Sequence, residues 1–159
     1  MGGHRWGIKM KNYTSSVPVE TTIARIEKIL AKFGVVGVAK SYKKGEVDSL
    51  CFTVQETTTG KGITIHLPAK VEAVKKILKE EVRRPRTETY RRIEEQAART
   101  AWKIIQDWVE VQLSLIEMGQ AETLQVFLPY VWDGNKTFFE AIKGNGFKML
   151  PEGRPSMGD

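Results

Sequence analysis

The side chains in this sequence best suited to chemistry are cationic, and their placing points to a polyanion. Arg83, Arg84 and Arg86 crowd one short stretch around Pro85, Arg91 and Arg92 follow a few residues on, and Lys43, Lys44 and Lys61 sit beside glycines in turn-like segments. A guanidinium is planar and permanently charged; it pairs with phosphate through two parallel N–H groups and also stacks on rings. Tyr42, Tyr90 and Trp132 lie close to these cations or to turns. Cations that track phosphates, interleaved with rings that stack on bases, hold single-stranded nucleic acid without sequence preference. The expected site is therefore Lys43, Lys44, Lys61, Arg83, Arg84, Arg86, Arg91, Arg92, Tyr42, Tyr90 and Trp132. The expected partner is nucleic acid, with single-stranded DNA favoured. A merely solubilising surface is the plainer reading of the same charges.

The distribution of charge supports the first reading. The 159 residues carry 25 Lys and Arg against 19 Asp and Glu, a net charge of +6. Residues 1–103 hold 21 basic and 11 acidic side chains, whereas residues 104–159 hold 4 and 8. The basic surface belongs to the first two thirds, where phosphate neutralisation would supply affinity.

Other chemistries find no footing. His4, His66 and the single Cys51 cannot assemble a zinc site of the usual Cys and His spacing, so no metal or cofactor is expected. There is no GxSxG nucleophile elbow, and the GKG of TTTGKGIT reads as a hairpin turn rather than a strand-to-helix phosphate loop. Glu80 with Glu81 and Glu94 with Glu95 lie beside Lys or Arg at solvated helical positions, a surface ion-pair pattern. The chain is expected to be non-enzymatic, with no catalytic residue. One cysteine excludes an intramolecular disulfide and favours a reducing, cytoplasmic setting. No apolar run approaches the roughly 20 residues of a membrane span, and the first residues lack the apolar core of a secretory signal.

These groups must be positioned by the elements around them. The stretch 87–118 contains no Gly or Pro and is predicted to be one helix, capped by Thr87 with Glu88 just inside and stopped by Gly119. At about 1.5 Å per residue it spans roughly 48 Å. Its first half is basic, whereas its second carries Trp102, Ile105, Trp108, Val109, Leu113 and Ile116; the two tryptophans, at helical spacing, belong in the core. Upstream, Ile23, Ile26, Ile29, Leu30 and Phe33 predict a helix over 20–33 that ends at Gly34. Strands are predicted at 35–42, 47–55 and 63–67, joined by the turns KKGE and TTTGKG, with a helix over 69–82 beside the first. Leu50, Phe52, Val54, Ile63, Ile65 and Leu67 alternate with Cys51, Thr53, Gln55, Thr64 and His66. That polar face lacks the aromatic pair of a base-stacking platform, and His66 reads as an ordinary outward histidine. Ile8, Met10 and 12–16 are candidates for a fourth, edge strand. Beyond Gly119, 122–132 and 136–143 around the turn DGN predict a helical hairpin. It buries Leu124, Phe127, Leu128, Phe138 and Ile142 against Trp108, Leu115 and Ile116.

The expected fold class is α+β: a three- or four-stranded antiparallel sheet with two helices on one face, followed by a long helix and a C-terminal helical hairpin. The chain divides into a basic arm (1–11), an α/β core module (12–82), the long helix with its helical cap (83–150) and a disordered tail (151–159).

The runs NYTSSVP at 12–18, RTAWKIIQDWVEVQLSLIE at 99–117 and VFLPYVWDG at 126–134 resemble a group of small proteins encoded in phage and prophage regions, for which no activity is established. The likeness covers most of the chain after Met10. It implies a phage context, with a replication or recombination accessory in view, and assigns no residue a role. The alternative reading is an oligomeric protein-interaction or structural module. Ile104, Ile105, Val109, Val111, Leu113 and Leu115 put apolar side chains on more than one side of the long helix, and one short hairpin would not cover them all.

Overall fold

The computed structural model describes residues 10–84 and 86–155. Most of the expected arm (1–9, with Ile8), Pro85 and the last four residues of the expected tail lie outside these. Helix α1 (Val19–Phe33) follows Pro18 and closes at Gly34, which takes the left-handed φ of 93° that only glycine adopts without strain. Three strands follow, β1 (Gly37–Lys43), β2 (Glu46–Gln55) and β3 (Gly62–Pro68), paired antiparallel in the order β1-β2-β3. Lys44 and Gly45 both have positive φ, 52° and 80°, which gives the first hairpin a two-residue turn matched to strand twist. Among the described residues the sheet has three strands. Of the candidates for a fourth, residues 11–14 form a turn in which Asn12 takes a φ of 61° and Ser15 N–H donates to Asn12 O at 3.0 Å.

The second hairpin turn is organised by Glu56. Its carboxylate accepts from Thr58 N–H at 2.7 Å, Thr59 N–H at 2.8 Å and the Thr59 hydroxyl at 2.8 Å. These bonds, the Thr58 amide first, draw its pKa down to about 2. Because the folded value lies below the unfolded one, the contribution of Glu56 is present above about pH 4.3 and lost as pH falls toward 2. In an NMR titration the Glu56 carboxyl carbon is expected to move near pH 2, and Glu56→Gln is expected to abolish the accompanying acid loosening of the turn.

Helix α2 (Val71–Glu80) and helix α3 (Thr87–Glu117, 31 residues) complete the main body. Alternation along β2 and β3 puts Leu50, Phe52, Val54, Ile65 and Leu67 on one face, all buried. There they share one cluster with Ile23, Ile26 and Leu30 of α1 and with Trp102, Val109 and Leu113 of α3. The second half of α3 thus lies against the sheet beside α1. Helix α2 flanks this body and docks on the earlier part of α3, Val74 meeting Ala97 and Ala101, with Lys75 Nζ 3.3 Å from Glu94. Before Ala97 only Ile93 of α3 is buried. Among the described residues no helix is long and apolar enough to cross a membrane.

The chain that precedes α1 is tied across the middle of α3. Asn12 Nδ2 donates to Asp107 at 2.8 Å, Lys11 Nζ lies 3.1 Å from the same carboxylate, and Lys103 Nζ lies 3.7 Å from it. Thr100 donates to Asn12 O at 3.0 Å, and Gln96 and Arg99 donate to Ser15 O, each at 3.1 Å. Burial alone would raise the Asp107 pKa, but the bonds from Asn12 and Lys11 and the charges of Lys11 and Lys103 outweigh it and hold the carboxyl below its usual range. This stabilisation is therefore present above about pH 4 and lost as pH falls through the lowered folded value. Asp107→Ala is expected to cost about 1–3 kcal/mol in urea melts at neutral pH, with the gap to wild type narrowing in acid.

After Gly119 come helix α4 (Thr123–Phe127), a 3-10 turn (Leu128–Tyr130) and helix α5 (Phe138–Gly144). Phe127, fully buried, meets Phe52 edge-on at 5.3 Å and Trp108 at 5.8 Å. Leu128, expected inside, is 44% exposed, because the chain tightens there into the turn that carries Pro129. Between α4 and α5 the chain makes a small β ribbon: Val131 bridges Ile65 of β3, and Trp132 bridges Thr137.

Candidate functional site

The elbow between α2 and α3 exposes Arg83, Arg84 and Arg86. Among the described residues none of the three is within ion-pair distance of a carboxylate. Arg86 is extended (φ −102°, ψ 164°) and occupies the cap position without a side-chain hydrogen bond. Thr87, expected as the cap, is instead the first helical residue, since the extended turn out of α2 ends one residue earlier. The first amides of α3 therefore lack a side-chain cap, and the positive end of the helix dipole adds to the arginine charge. Arg91 pairs with Glu95 at 3.6 Å and Arg92 with Glu88 at 3.4 Å. Both are exposed i,i+4 pairs, worth a few tenths of a kcal/mol, and exchange readily for a phosphate. Tyr90 is 41% exposed, with Lys79 Nζ 5.2 Å from its ring. From residue 70 to residue 92 there are nine Lys and Arg against four Glu, so this end of the molecule is positive.

The hairpin lysines do not gather at one place. Lys43 and Lys44 stand at the β1–β2 turn and Lys61 at the β2–β3 turn, at opposite ends of β2, about 30 Å apart at the usual strand rise. Tyr42 is 64% exposed on the rim of a cleft of about 300 Å³ floored by Ile23, Val71 and Trp102. Trp132 lies elsewhere, on the polar face of the sheet.

That face holds an aromatic pair after all. Trp132 N–H donates to Thr64 O at 2.8 Å, and its indole stacks on the His66 imidazole with centroids 4.2 Å apart and planes 23° from parallel. Across the strands, Cys51 Sγ lies 3.1 Å from His66 Nδ1, and the Thr53 and Thr64 hydroxyls are 3.4 Å apart. Burial lowers the His66 pKa, and burial followed by the Asp48 charge raises that of Cys51. The pair is therefore a neutral thiol beside a neutral imidazole, the opposite of the thiolate and imidazolium that make a cysteine nucleophile. His66 was the residue that sequence reasoning passed over. The signal for its partner lay in YVW directly before DGN, which reads equally as a strand entering a tight turn. Among the described residues no group of three or more His, Cys, Asp and Glu could hold a metal ion.

Comparison with known protein families, curated proteins and solved structures finds no match.

Proposed function

We propose that this is a non-enzymatic nucleic-acid-binding protein, with single-stranded DNA its favoured partner, and that the elbow is where it grips phosphates. The observation that carries the reading is the group formed by Arg83, Arg84 and Arg86, exposed and free of carboxylate partners among the described residues. Structural arginines on a surface ordinarily find an acid. Three within four positions, without a carboxylate partner among the described residues and at the positive end of a long helix, suit an external anion. Arg91, Arg92 and Tyr90, in the first turns of α3, adjoin the elbow, while Lys43 and Lys44 stand apart at the β1–β2 hairpin. A place in phage replication or recombination fits the resemblance of the sequence.

The test is a fluorescence-anisotropy titration with labelled oligothymidylate between about 50 and 200 mM salt. Binding that weakens steeply with salt is expected; salt-independent binding, or none at low salt, would remove the proposal.

Assembly of copies is a second reading, favoured by apolar side chains left outside: Val111 on α3 is 55% exposed, and beyond α5 Met149 and Leu150 are 69% and 57% exposed. Light scattering on the same protein separates a monomer that binds DNA from an oligomer that ignores it.

A further inference from the structure

Resting on the reading above, we infer a second contact surface: the polar face of the sheet is a stacking platform for unpaired bases, centred on Trp132 and His66, and its occupant is single-stranded nucleic acid.

The face is built mostly of small side chains. Gly37 and Ala39 of β1 pair with Thr53 and Cys51 of β2, which pair in turn with Thr64 and His66 of β3. Beside Trp132, the only large side chain in this set is His66. Gly37 and Ala39 are exposed, and Cys51, Thr53, Thr64 and His66 are half-buried, while the buried side chains of α1 and α3 meet the opposite face. A tryptophan is normally spent on a core. Here an eight-residue ribbon, 131–138, closed by Asp133 N–H donating to Lys136 O at 3.2 Å and Phe138 N–H to Val131 O at 2.8 Å, sets one half-buried on the outer face.

The chemistry of this face suits a base rather than a phosphate. His66 is neutral at physiological pH, so it backs the indole as a flat ring and offers no fixed charge. Threonine hydroxyls and the thiol supply short hydrogen-bonding groups beside it. Lys43 and Lys44 outnumber Glu46 at one turn, whereas at the other Lys61 shares its place with the Glu56 carboxylate. Asp48 and Glu140 act on His66 from nearby, which turns phosphates away from the ring pair and toward Lys43 and Lys44. A span of about 30 Å between lysine-bearing turns accommodates several nucleotides, within the range of a single-strand module. A duplex keeps its bases stacked inside, so this face discriminates single strands, whereas arginines gripping phosphates do not.

The experiment compares labelled oligothymidylate with a blunt duplex, using the full chain. Trp132→Leu is expected to weaken single-strand binding roughly 5- to 100-fold, the worth of one stacked base, leaving duplex binding unchanged, and Trp132→Phe to recover most of the loss. Ala39→Glu, at an exposed position outside the core, is expected to give the same selective loss and decides the matter if Trp132→Leu unfolds. Wild-type binding that neither Trp132→Leu, folded by circular dichroism, nor Ala39→Glu alters would overturn the platform and leave the elbow standing. Single-strand binding lost in these variants but untouched by substitution of Arg83, Arg84 and Arg86 would keep the platform and overturn the elbow.

Discussion

Replacing Arg83, Arg84 and Arg86 together with alanine is expected to flatten the salt dependence of single-strand binding by about 2 in log–log slope. Each phosphate neutralised on a single strand contributes about 0.7 to that slope, and three contacts are removed at once. Over a rise from about 50 to 200 mM salt, a slope of 2 corresponds to a roughly 16-fold change in affinity. Charge reversal to glutamate adds repulsion and is expected to abolish binding at physiological salt. Arg91 and Arg92 already face Glu95 and Glu88, so their removal frees two carboxylates on the same surface; the double alanine variant weakens binding through that repulsion as well. None of these side chains enters the core, and melting temperatures should stay close to wild type. A slope indifferent to the triple substitution would show that the phosphates are held elsewhere.

Phe127→Ala is expected to have the largest effect on stability. Phe127 is fully buried where three parts of the chain meet: its ring is edge-on to Phe52 of β2 and to Trp108 of α3. Truncating a buried phenylalanine costs about 3–5 kcal/mol, part transfer and part unfilled cavity. The aromatic edges that remain cannot close around the gap without moving strand or helix. In a protein of this size that loss lowers the melting temperature by roughly 6–20 °C, which calorimetry reads directly. Because Phe127 also seats the short helix that leads to Trp132, the variant is expected to loosen the ribbon along β3, seen as faster amide exchange at Trp132 and Val131. A change below about 1 kcal/mol would mean that the C-terminal cap repacks freely and is not fastened by this ring.

Much of this architecture can be read from spacing alone. The long helix is bounded by an uninterrupted run of good helix formers and by Gly119, whose φ of 76° ends it. The alternation of Leu50, Phe52 and Val54 identifies the buried face because a strand has only two sides. What spacing does not carry is the choice of partner. Both α2 and the second half of α3 present apolar stripes that fit the sheet, and Trp102, Val109 and Leu113 of α3 share its core cluster. The cap of α3 falls on Arg86, in extended conformation, whose guanidinium has no acceptor to offer the first amides, one residue before the threonine whose hydroxyl could have accepted. The outer pair of Trp132 and His66 is hidden for another reason: they lie 66 positions apart, and the bridge between Val131 and Ile65 and the bond from Trp132 N–H to Thr64 O bring them together. The elbow arginines are legible as charges, whereas their lack of carboxylate partners among the described residues requires coordinates.

The cover that α3 lays over the sheet also sets an order of events at the ribosome. All three strands and α1 are made by residue 68, but Trp102, Val109 and Leu113 come as many as 45 residues later. At about 5–20 residues per second they lag by roughly 2–9 s. Through that interval the nascent sheet holds its oily side under a single helix, a surface open to wrong partners until the long helix emerges.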